Sequence, residues 1–176
     1  LLKESLEAIN LARNDLVQSI PTEVGQLLQL TDLRLFENGL EGEIPSEIAD
    51  LTNLQHLAVV TLNTLTGTLP SMSDLRQLTY LDVRDNLLRG EVPDFGTLDS
   101  LNELYMFNTD LTGTISDGIC DTIETAWIDC DEVVCSCCTA RSGVACPDIP
   151  SQPPTAVPTT NQPTTKIPET LEELIM

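Results

Sequence analysis

The sequence predicts a solenoid, a fold in which short repeated units stack on one another to form an elongated domain. The first observation is a near-constant period, because leucines begin five successive segments at positions 6, 30, 54, 78 and 101 of the 176-residue chain. The second is a fixed pair of apolar residues within each segment. The third is composition: 41% of the residues are hydrophobic but only 3% are aromatic. The core is therefore expected to be aliphatic.

Each repeat is predicted to contain one short β-strand. Apolar residues three and five positions after the first leucine lie on the same face of a strand, because side chains alternate between the two faces. These pairs are Ile9 and Leu11, Leu33 and Leu35, Leu57 and Val59, Leu81 and Val83, and Leu104 and Met106. The positions between and beside them are expected to face solvent.

An asparagine follows the strand in most repeats. It is predicted to bond backbone groups where the chain turns into the interior, because its side chain both donates and accepts hydrogen bonds. This asparagine ladder comprises Asn14, Asn38, Asn63 and Asn86, and Thr109 takes its place in the fifth repeat. The third repeat has one extra residue, so its asparagine comes one position late.

Each repeat closes with a leucine, a glycine and an apolar–proline pair. The glycine is present in four of the five repeats, and Gln18 replaces it in the first. Proline suits this part of the coil, because the turn needs no amide donor there. The pairs are Ile20-Pro21, Ile44-Pro45, Leu69-Pro70 and Val92-Pro93, with Ile115-Ser116 in the fifth repeat.

This pattern resembles the plant-type class of leucine-rich repeats, whose consensus reads LxxLxLxxNxLxGxIPxxLxxLxx. The resemblance covers residues 1 to 118 as five coils. It implies an α/β-type solenoid, a right-handed superhelix that is mainly β-strand with 3-10 turns and has a parallel sheet on its concave face. Because the chain begins Leu1-Leu2-Lys3 without an initiator methionine, we interpret it as an N-terminally truncated fragment.

Residues 119 to 146 are predicted to form a degenerate sixth coil and a cysteine-rich cap, which a solenoid needs to cover its last coil. The segment from Cys130 to Thr139 resembles the C-terminal cap of algal leucine-rich-repeat proteins. The clustered, even set of cysteines predicts disulfides and an oxidising compartment. Adjacent cysteines are expected to pair with different partners, and the pairing otherwise stays open among 15 possibilities. The cysteines are Cys120, Cys130, Cys135, Cys137, Cys138 and Cys146.

The composition changes after the cap. Residues 147 to 168 contain seven prolines and five threonines, which predicts an extended, disordered stalk and a candidate for O-glycosylation. Residues 169 to 176 form a short tail that could begin a helix or belong to a following segment.

The charge is strongly acidic, with 28 acidic and 8 basic side chains and a net charge of -20. Such a surface disfavours nucleic acid and anionic membranes as partners. It favours a cationic partner, mainly through the association rate, although the charge could equally serve only to keep the solenoid soluble.

Catalysis is not predicted, because the sequence has no GxSxG, HExxH or phosphate-binding glycine loop. No cofactor or metal is expected. The spacings between consecutive cysteines, x9, x4, x1, x0 and x7, are interpreted as containing no C-x₂-C pair of zinc ligands, and the sole histidine, His56, lies far from them. Asp82 with Asp85, or the acidic residues around Asp129, could bind calcium weakly, but a solvated acidic surface is the favoured interpretation.

The predicted solvent-facing strand positions carry the candidate site. Five of the six aromatic residues of the chain fall there, where no packing requirement explains them, whereas Phe95 lies elsewhere. Aromatic and arginine side chains dominate binding hot spots. The competing interpretation is that aromatic residues merely suit strands and that Trp127 plugs the cap. The candidate ligand-binding residues are Phe36, Tyr80, Arg84, Tyr105, Phe107 and Trp127, with a predicted acidic rim of Asp82, Asp85, Glu103 and Asp129.

The resemblance implies non-catalytic recognition of a protein, peptide or glycan ligand on the concave face of an extracellular receptor-like or secreted protein. Association with a membrane would come only through further parts of a parent protein. The alternatives are a secreted inhibitor of extracellular hydrolases and a structural cell-wall or adhesion protein, which the Pro/Thr-rich stalk favours.

Overall fold

A computed structural model describes residues 5–60, 62–130 and 132–138. The predicted stalk and tail, residues 147–168 and 169–176, lie outside the described residues, as does Cys146. In the described part of the chain, no helix combines the length and the apolar character of a membrane span.

Six short strands, one from each coil, form a parallel sheet and confirm the predicted solenoid. Their order in the sheet follows the chain, β1-β3-β5-β7-β9-β11. The strands are β1 (Ala8–Asn10), β3 (Asp32–Arg34), β5 (His56–Ala58), β7 (Tyr80–Asp82), β9 (Glu103–Tyr105) and β11 (Thr125–Trp127). Equivalent positions of successive repeats pair directly, as Tyr80 does with Glu103 and Tyr105 with Trp127. Tyr80, Glu103, Tyr105 and Trp127 lie on the side of this sheet that faces away from the core. We call this side the front face.

The rest of each coil supplies a second strand or a 3-10 turn. The second strands form two three-stranded parallel sheets, ordered β2-β4-β6 and β12-β10-β8. They are β2 (Val17–Gln18), β4 (Gly39–Glu43), β6 (Thr64–Thr66), β8 (Arg89–Glu91), β10 (Asp110–Thr114) and β12 (Val133–Val134). In the described residues, three 3-10 helices span Thr22–Gln26, Ser46–Asp50 and Asp117–Ile119. After each coil the chain thus returns to the six-stranded sheet, where the next strand lies beside the previous one.

The core between these layers is aliphatic, as the composition predicts. The strand leucines Leu33, Leu57, Leu81 and Leu104 are fully buried, and they belong to one continuous hydrophobic cluster. Phe95 is the aromatic member of that cluster among the described residues and is 0% exposed. Within its coil, Phe95 occupies the position that Met72 and Ile119 occupy in the neighbouring coils. In each case the carbonyl of this residue accepts a backbone hydrogen bond from the N–H three residues later.

Three asparagines form a buried ladder through the stack: Asn38, Asn63 and Asn86. Each donates from its amide nitrogen to carbonyls of its own coil and of the coil before it, and each accepts a backbone N–H of the preceding coil at its side-chain oxygen. Thr109 makes a reduced version, since its hydroxyl donates to the Met106 carbonyl at 2.8 Å. The ladder thereby satisfies buried backbone groups that the sheets leave open.

Two positions in each of the first five coils adopt left-handed backbone conformations. One is the residue before the ladder position, and the other is the predicted glycine position, with Gly42 at φ 79° and Gly67 at φ 76°. In the first coil this second position is Gln18, at φ 73°. A side chain makes that conformation unfavourable, because Cβ approaches the following carbonyl oxygen.

Replacing Gln18 by glycine is therefore expected to raise the free energy of unfolding by about 1 kcal/mol, since relief of the left-handed strain exceeds the entropic cost of glycine. Urea denaturation followed by circular dichroism measures it. The matched control is Gln29→Gly, because Gln29 is exposed and is not among the left-handed residues. That change should destabilise slightly, and equal losses from both changes would contradict the strain argument.

The cap contains disulfides, as predicted. Cys120 pairs with Cys137 and Cys135 with Cys138, with Cα–Cα distances of 5.4 and 5.3 Å, and Cys130 is also disulfide-bonded. The adjacent Cys137 and Cys138 thus have different partners. Cys135 and Cys138 form a C-x₂-C pair that the spacing of consecutive cysteines conceals, because Cys137 lies between them. This pair is used for a disulfide rather than for a metal.

Candidate ligand-binding site

A ladder of aromatic rings crosses the front face from β5 to β11. His56 stacks on Tyr80 with ring centroids 4.9 Å apart and an interplanar angle of 15°. Tyr80 and Tyr105 follow at 5.6 Å and 46°, and Tyr105 meets Trp127 edge to face at 5.8 Å and 76°. Neighbouring strands bring these side chains together, because parallel strands stand about 4.8 Å apart. The result is one continuous aromatic strip over four coils.

His56 is a member that the sequence analysis did not select. Its position in the repeat is the same as that of Tyr80, so the strand register pairs the two residues directly. An imidazole beside a tyrosine at equivalent positions of successive repeats was the signal that could have identified it.

Phe107 extends the strip at its C-terminal end. Its ring centroid lies 6.0 Å from that of Trp127, at an angle of 45°. Trp127 is 44% exposed, whereas Tyr105 and Phe107 are half-buried. The exposure of Trp127 argues against its acting as a plug for the cap. We call Tyr80, Arg84, Tyr105, Phe107 and Trp127 the aromatic cluster.

Arg84 is the cation of the aromatic cluster. Its guanidinium carbon lies 5.2 Å from the ring centroid of Tyr105 and 5.4 Å from that of Phe107. An Nη of the same group lies 3.2 Å from a carboxylate oxygen of Asp82. Cation–π contact and ion pairing together hold this guanidinium against the sheet.

Asp82 departs from the sequence prediction, which placed it in a solvated rim. It is only 1% exposed, because the side chains of Tyr80 and Arg84, two residues before and after it, fold over it. The Tyr80 hydroxyl donates to its carboxylate at 3.0 Å. Burial raises the pKa of Asp82 to about 6, although Arg84 and the Tyr80 hydroxyl act in the opposite direction. Asp82 therefore lies beneath Tyr80 and Arg84 and holds both side chains in place.

Two further positions expected to face solvent are also buried. Ala58 is 6% and Val60 is 5% exposed. Both side chains are short. Phe36 occupies the repeat position that Val60 and Arg84 occupy in the next two coils, so Val60 lies between Phe36 and the aromatic cluster. The Arg13 guanidinium lies 6.0 Å from the Phe36 ring instead.

The remaining rim carboxylates are held in place by hydrogen bonds. Glu103 accepts the Tyr105 hydroxyl at 2.7 Å, and burial raises the pKa of Tyr105 to about 12, with this bond as a further cause. Asp129 accepts the backbone N–H of Thr109 at 3.1 Å. Asp85 accepts an amide hydrogen of Asn108 at 2.8 Å. Within the described residues, no group of three or more His, Cys, Asp or Glu side chains is arranged to hold a metal ion.

Comparison with known proteins agrees with the fold. Residues 29–51 match the family model described as Leucine Rich Repeat. Receptor-like protein EIX2 of Solanum lycopersicum is 33% identical over 115 residues, which are 62% of this chain and 11% of that protein. The chain spans about a tenth of the length of the curated relatives it matches.

Two solved ectodomain structures from Arabidopsis thaliana are similar. One is the receptor kinase GASSHO1/SCHENGEN3 in complex with CASPARIAN STRIP INTEGRITY FACTOR 2, with 35% identity, a TM-score of 0.66, and coverage of 73% of this chain and 15% of that one. The other is HAESA in complex with the peptide hormone IDA and the co-receptor SERK1, with 31% identity, a TM-score of 0.64, and coverage of 71% and 21%. The coils described above have the fold of a leucine-rich-repeat solenoid, and the chain resembles plant receptor-like proteins.

Proposed function

We propose that this stretch of plant-type leucine-rich repeats is a non-catalytic recognition module whose front face binds a peptide or protein ligand outside the cell. The observation that carries the proposal is the aromatic cluster. Five of the chain's six aromatic residues lie on the solvent-facing side of one sheet. Three pairs of their rings have centroids within 6.0 Å, and His56 stacks on Tyr80 as a fourth pair. A solvated sheet face has no packing requirement for so much aromatic surface.

The cluster is also organised before any ligand arrives. The two tyrosine hydroxyls donate to carboxylates on their own strands, and Arg84 is fixed by Asp82 and two rings. Side chains that are already ordered lose little conformational entropy when a ligand binds. Rigid aromatic side chains with a fixed arginine are the kind of residues that contribute most to affinity at interfaces.

Two further observations support this assignment. Disulfides in the cap favour an oxidising, extracellular setting. Among the similar structures, HAESA is described with a peptide hormone and a co-receptor, which supports a peptide or protein as the class of ligand. A glycan is the alternative that a binding experiment would distinguish.

Truncation of Tyr105 or Trp127 to alanine is expected to weaken the binding of a peptide ligand by about 30-fold or more, corresponding to about 2 kcal/mol. The ligand for this experiment is a peptide selected from a displayed library with the disulfide-intact chain as bait. Isothermal titration calorimetry then compares the wild-type chain with each variant.

The matched control is Leu28→Ala, because Leu28 is a large apolar side chain that is 54% exposed and lies in the turn after a 3-10 helix, outside the front face. It should leave affinity unchanged. Urea denaturation followed by far-ultraviolet circular dichroism verifies that the variants remain folded. Selected peptides that bind Tyr105→Ala and Trp127→Ala as tightly as the wild-type chain would place the binding surface elsewhere.

A further inference from the structure

We infer that Trp127, Phe107 and Asp129 form a subsite for a guanidinium group, so that the ligand presents an arginine side chain to the C-terminal end of the front face. The inference rests on the proposed recognition function and names the chemistry of one contact within it. It goes beyond the general preference of an acidic chain for a cationic partner, because it assigns the cation to one place and to one kind of side chain.

The face already binds a guanidinium in this manner. Arg84 lies over the rings of Tyr105 and Phe107 and forms an ion pair with Asp82. Arg13 repeats the arrangement near the other end of the sheet, where its guanidinium lies 6.0 Å from the ring of Phe36 and its Nε lies 3.2 Å from a carboxylate oxygen of Glu37. In the described residues, every cation–ring contact is thus accompanied by a carboxylate.

The end of the sheet offers the same two components. Trp127 and Phe107 provide neighbouring rings with centroids 6.0 Å apart. Asp129 follows Trp127 by two residues, and its carboxylate accepts the N–H of Thr109, which follows Phe107 by two residues. This backbone contact fixes the carboxylate two residues along the chain from Trp127.

Arg84 already contacts the ring of Phe107, but no cation of the described residues contacts that of Trp127. The cation–ring contacts of the described residues involve Phe36, Tyr105 and Phe107, whereas no arginine or lysine of those residues lies over Trp127. Trp127 meets Tyr105 edge to face and Phe107 at a tilt of 45°, and 44% of the residue stays exposed. Ring area thus remains available to a ligand.

The charges of the face favour a cation at this end. Its three arginines are each paired with an acid of the same face, namely Arg13 with Glu37, Arg34 with Asp32 and Arg84 with Asp82. Among the described residues, Glu103, Asp85 and Asp129 form no salt bridge. These three carboxylates surround the aromatic cluster and leave negative potential around it.

Arginine fits better than lysine for a geometric reason. A guanidinium is planar, so one side can stack on an aromatic ring while its N–H groups point to a carboxylate in the same plane. An ammonium is a compact, strongly hydrated charge that gains less from a ring face. The subsite should therefore distinguish arginine from lysine, and both from neutral citrulline.

Trp127 provides a direct readout because it is the sole tryptophan of the chain. The probes are three blocked tripeptides, glycine–arginine–glycine and its lysine and citrulline counterparts, titrated at about 0.15 M salt, where the screening length is about 8 Å. The arginine peptide is expected to change the fluorescence of Trp127 saturably. The lysine peptide should bind severalfold more weakly, and the citrulline peptide should give no saturable change.

Two variants test the assignment within the full chain. Asp129→Asn should weaken the arginine peptide at least fivefold, and Phe107→Leu should weaken it severalfold without removing a charge. The matched control is Asp110→Asn, since Asp110 is an exposed acid on β10, in a second sheet away from the front face. It should bind the arginine peptide as the wild-type chain does.

The outcomes separate the subsite from the broader proposal. Equal weakening by Asp129→Asn and Asp110→Asn would mean that the acidic chain attracts arginine without a subsite, and equal responses to arginine and citrulline would also overturn the inference. If a library-selected peptide still depends on Tyr105 but not on its own arginine, the subsite fails while the recognition function stands. If it depends on neither, the recognition function fails as well.

Discussion

Replacement of Phe95 by alanine is expected to lower the free energy of unfolding by about 4 kcal/mol. Phe95 is 0% exposed and lies in the continuous core, at the coil position that Met72 and Ile119 fill in the neighbouring coils. A solenoid contacts each coil only through its neighbours, so a cavity there weakens the packing on both sides of one coil. Urea denaturation monitored by far-ultraviolet circular dichroism measures the loss.

The matched control is Phe36→Ala, which removes the same side chain from the half-buried front face. This substitution is expected to lower the free energy of unfolding by only about 1 kcal/mol, because removal of the ring leaves no enclosed cavity. Hydrogen exchange adds a local readout, since the Phe95 change should expose the amides of the fourth and fifth coils first. A comparable loss for both variants would show that burial of Phe95 is not what stabilises these coils.

The strand register could be predicted from the sequence because one rule repeats in every coil. Apolar residues at fixed offsets must reach a shared core, so the residues between them must share the opposite face. That reasoning places the candidate residues of successive repeats on one face, and the structure pairs Tyr105 with Trp127 and Tyr80 with Glu103. Periodicity of this kind needs no knowledge of any side-chain conformation.

The burial of Asp82 could not be predicted in the same way. Its strand position is equivalent to that of Arg34 and Tyr105, which are half-buried. It is buried because Tyr80 and Arg84, two residues away on either side, both turn toward its carboxylate. This outcome depends on side-chain rotamers and on the short neighbour Ala58, and an offset rule contains neither.

The disulfide pairing also could not be predicted from the sequence. Six cysteines allow 15 pairings, and the choice depends on which backbone positions the last coil brings within bonding distance. The structure brings Cys120, at the end of a 3-10 helix, next to Cys137 across the cap. The absence of a bridge between the adjacent Cys137 and Cys138 could be predicted, because it follows from local covalent geometry alone.

Asn63→Ala is expected to lower the free energy of unfolding by about 3 kcal/mol, because it leaves buried backbone groups without partners. Asn63 is 4% exposed. Its amide donates to the carbonyls of Leu35, Val59 and Val60 at 3.0, 3.3 and 3.4 Å, and its oxygen accepts the N–H of Leu40 at 3.0 Å. Alanine can replace none of these bonds.

Asn14→Ala is the matched control, since Asn14 is only half-buried and its side chain donates to Leu11 and Ala12 of its own coil. Its loss should cost about 1 kcal/mol or less. Urea denaturation compares the two variants, and amide exchange should accelerate at Leu40 in Asn63→Ala before global unfolding. If the Leu40 amide stays protected and the two substitutions lower the free energy of unfolding equally, Asn63 does not stabilise the ladder. The extra residue of the third repeat would then have displaced it, and other groups would bond the backbone there.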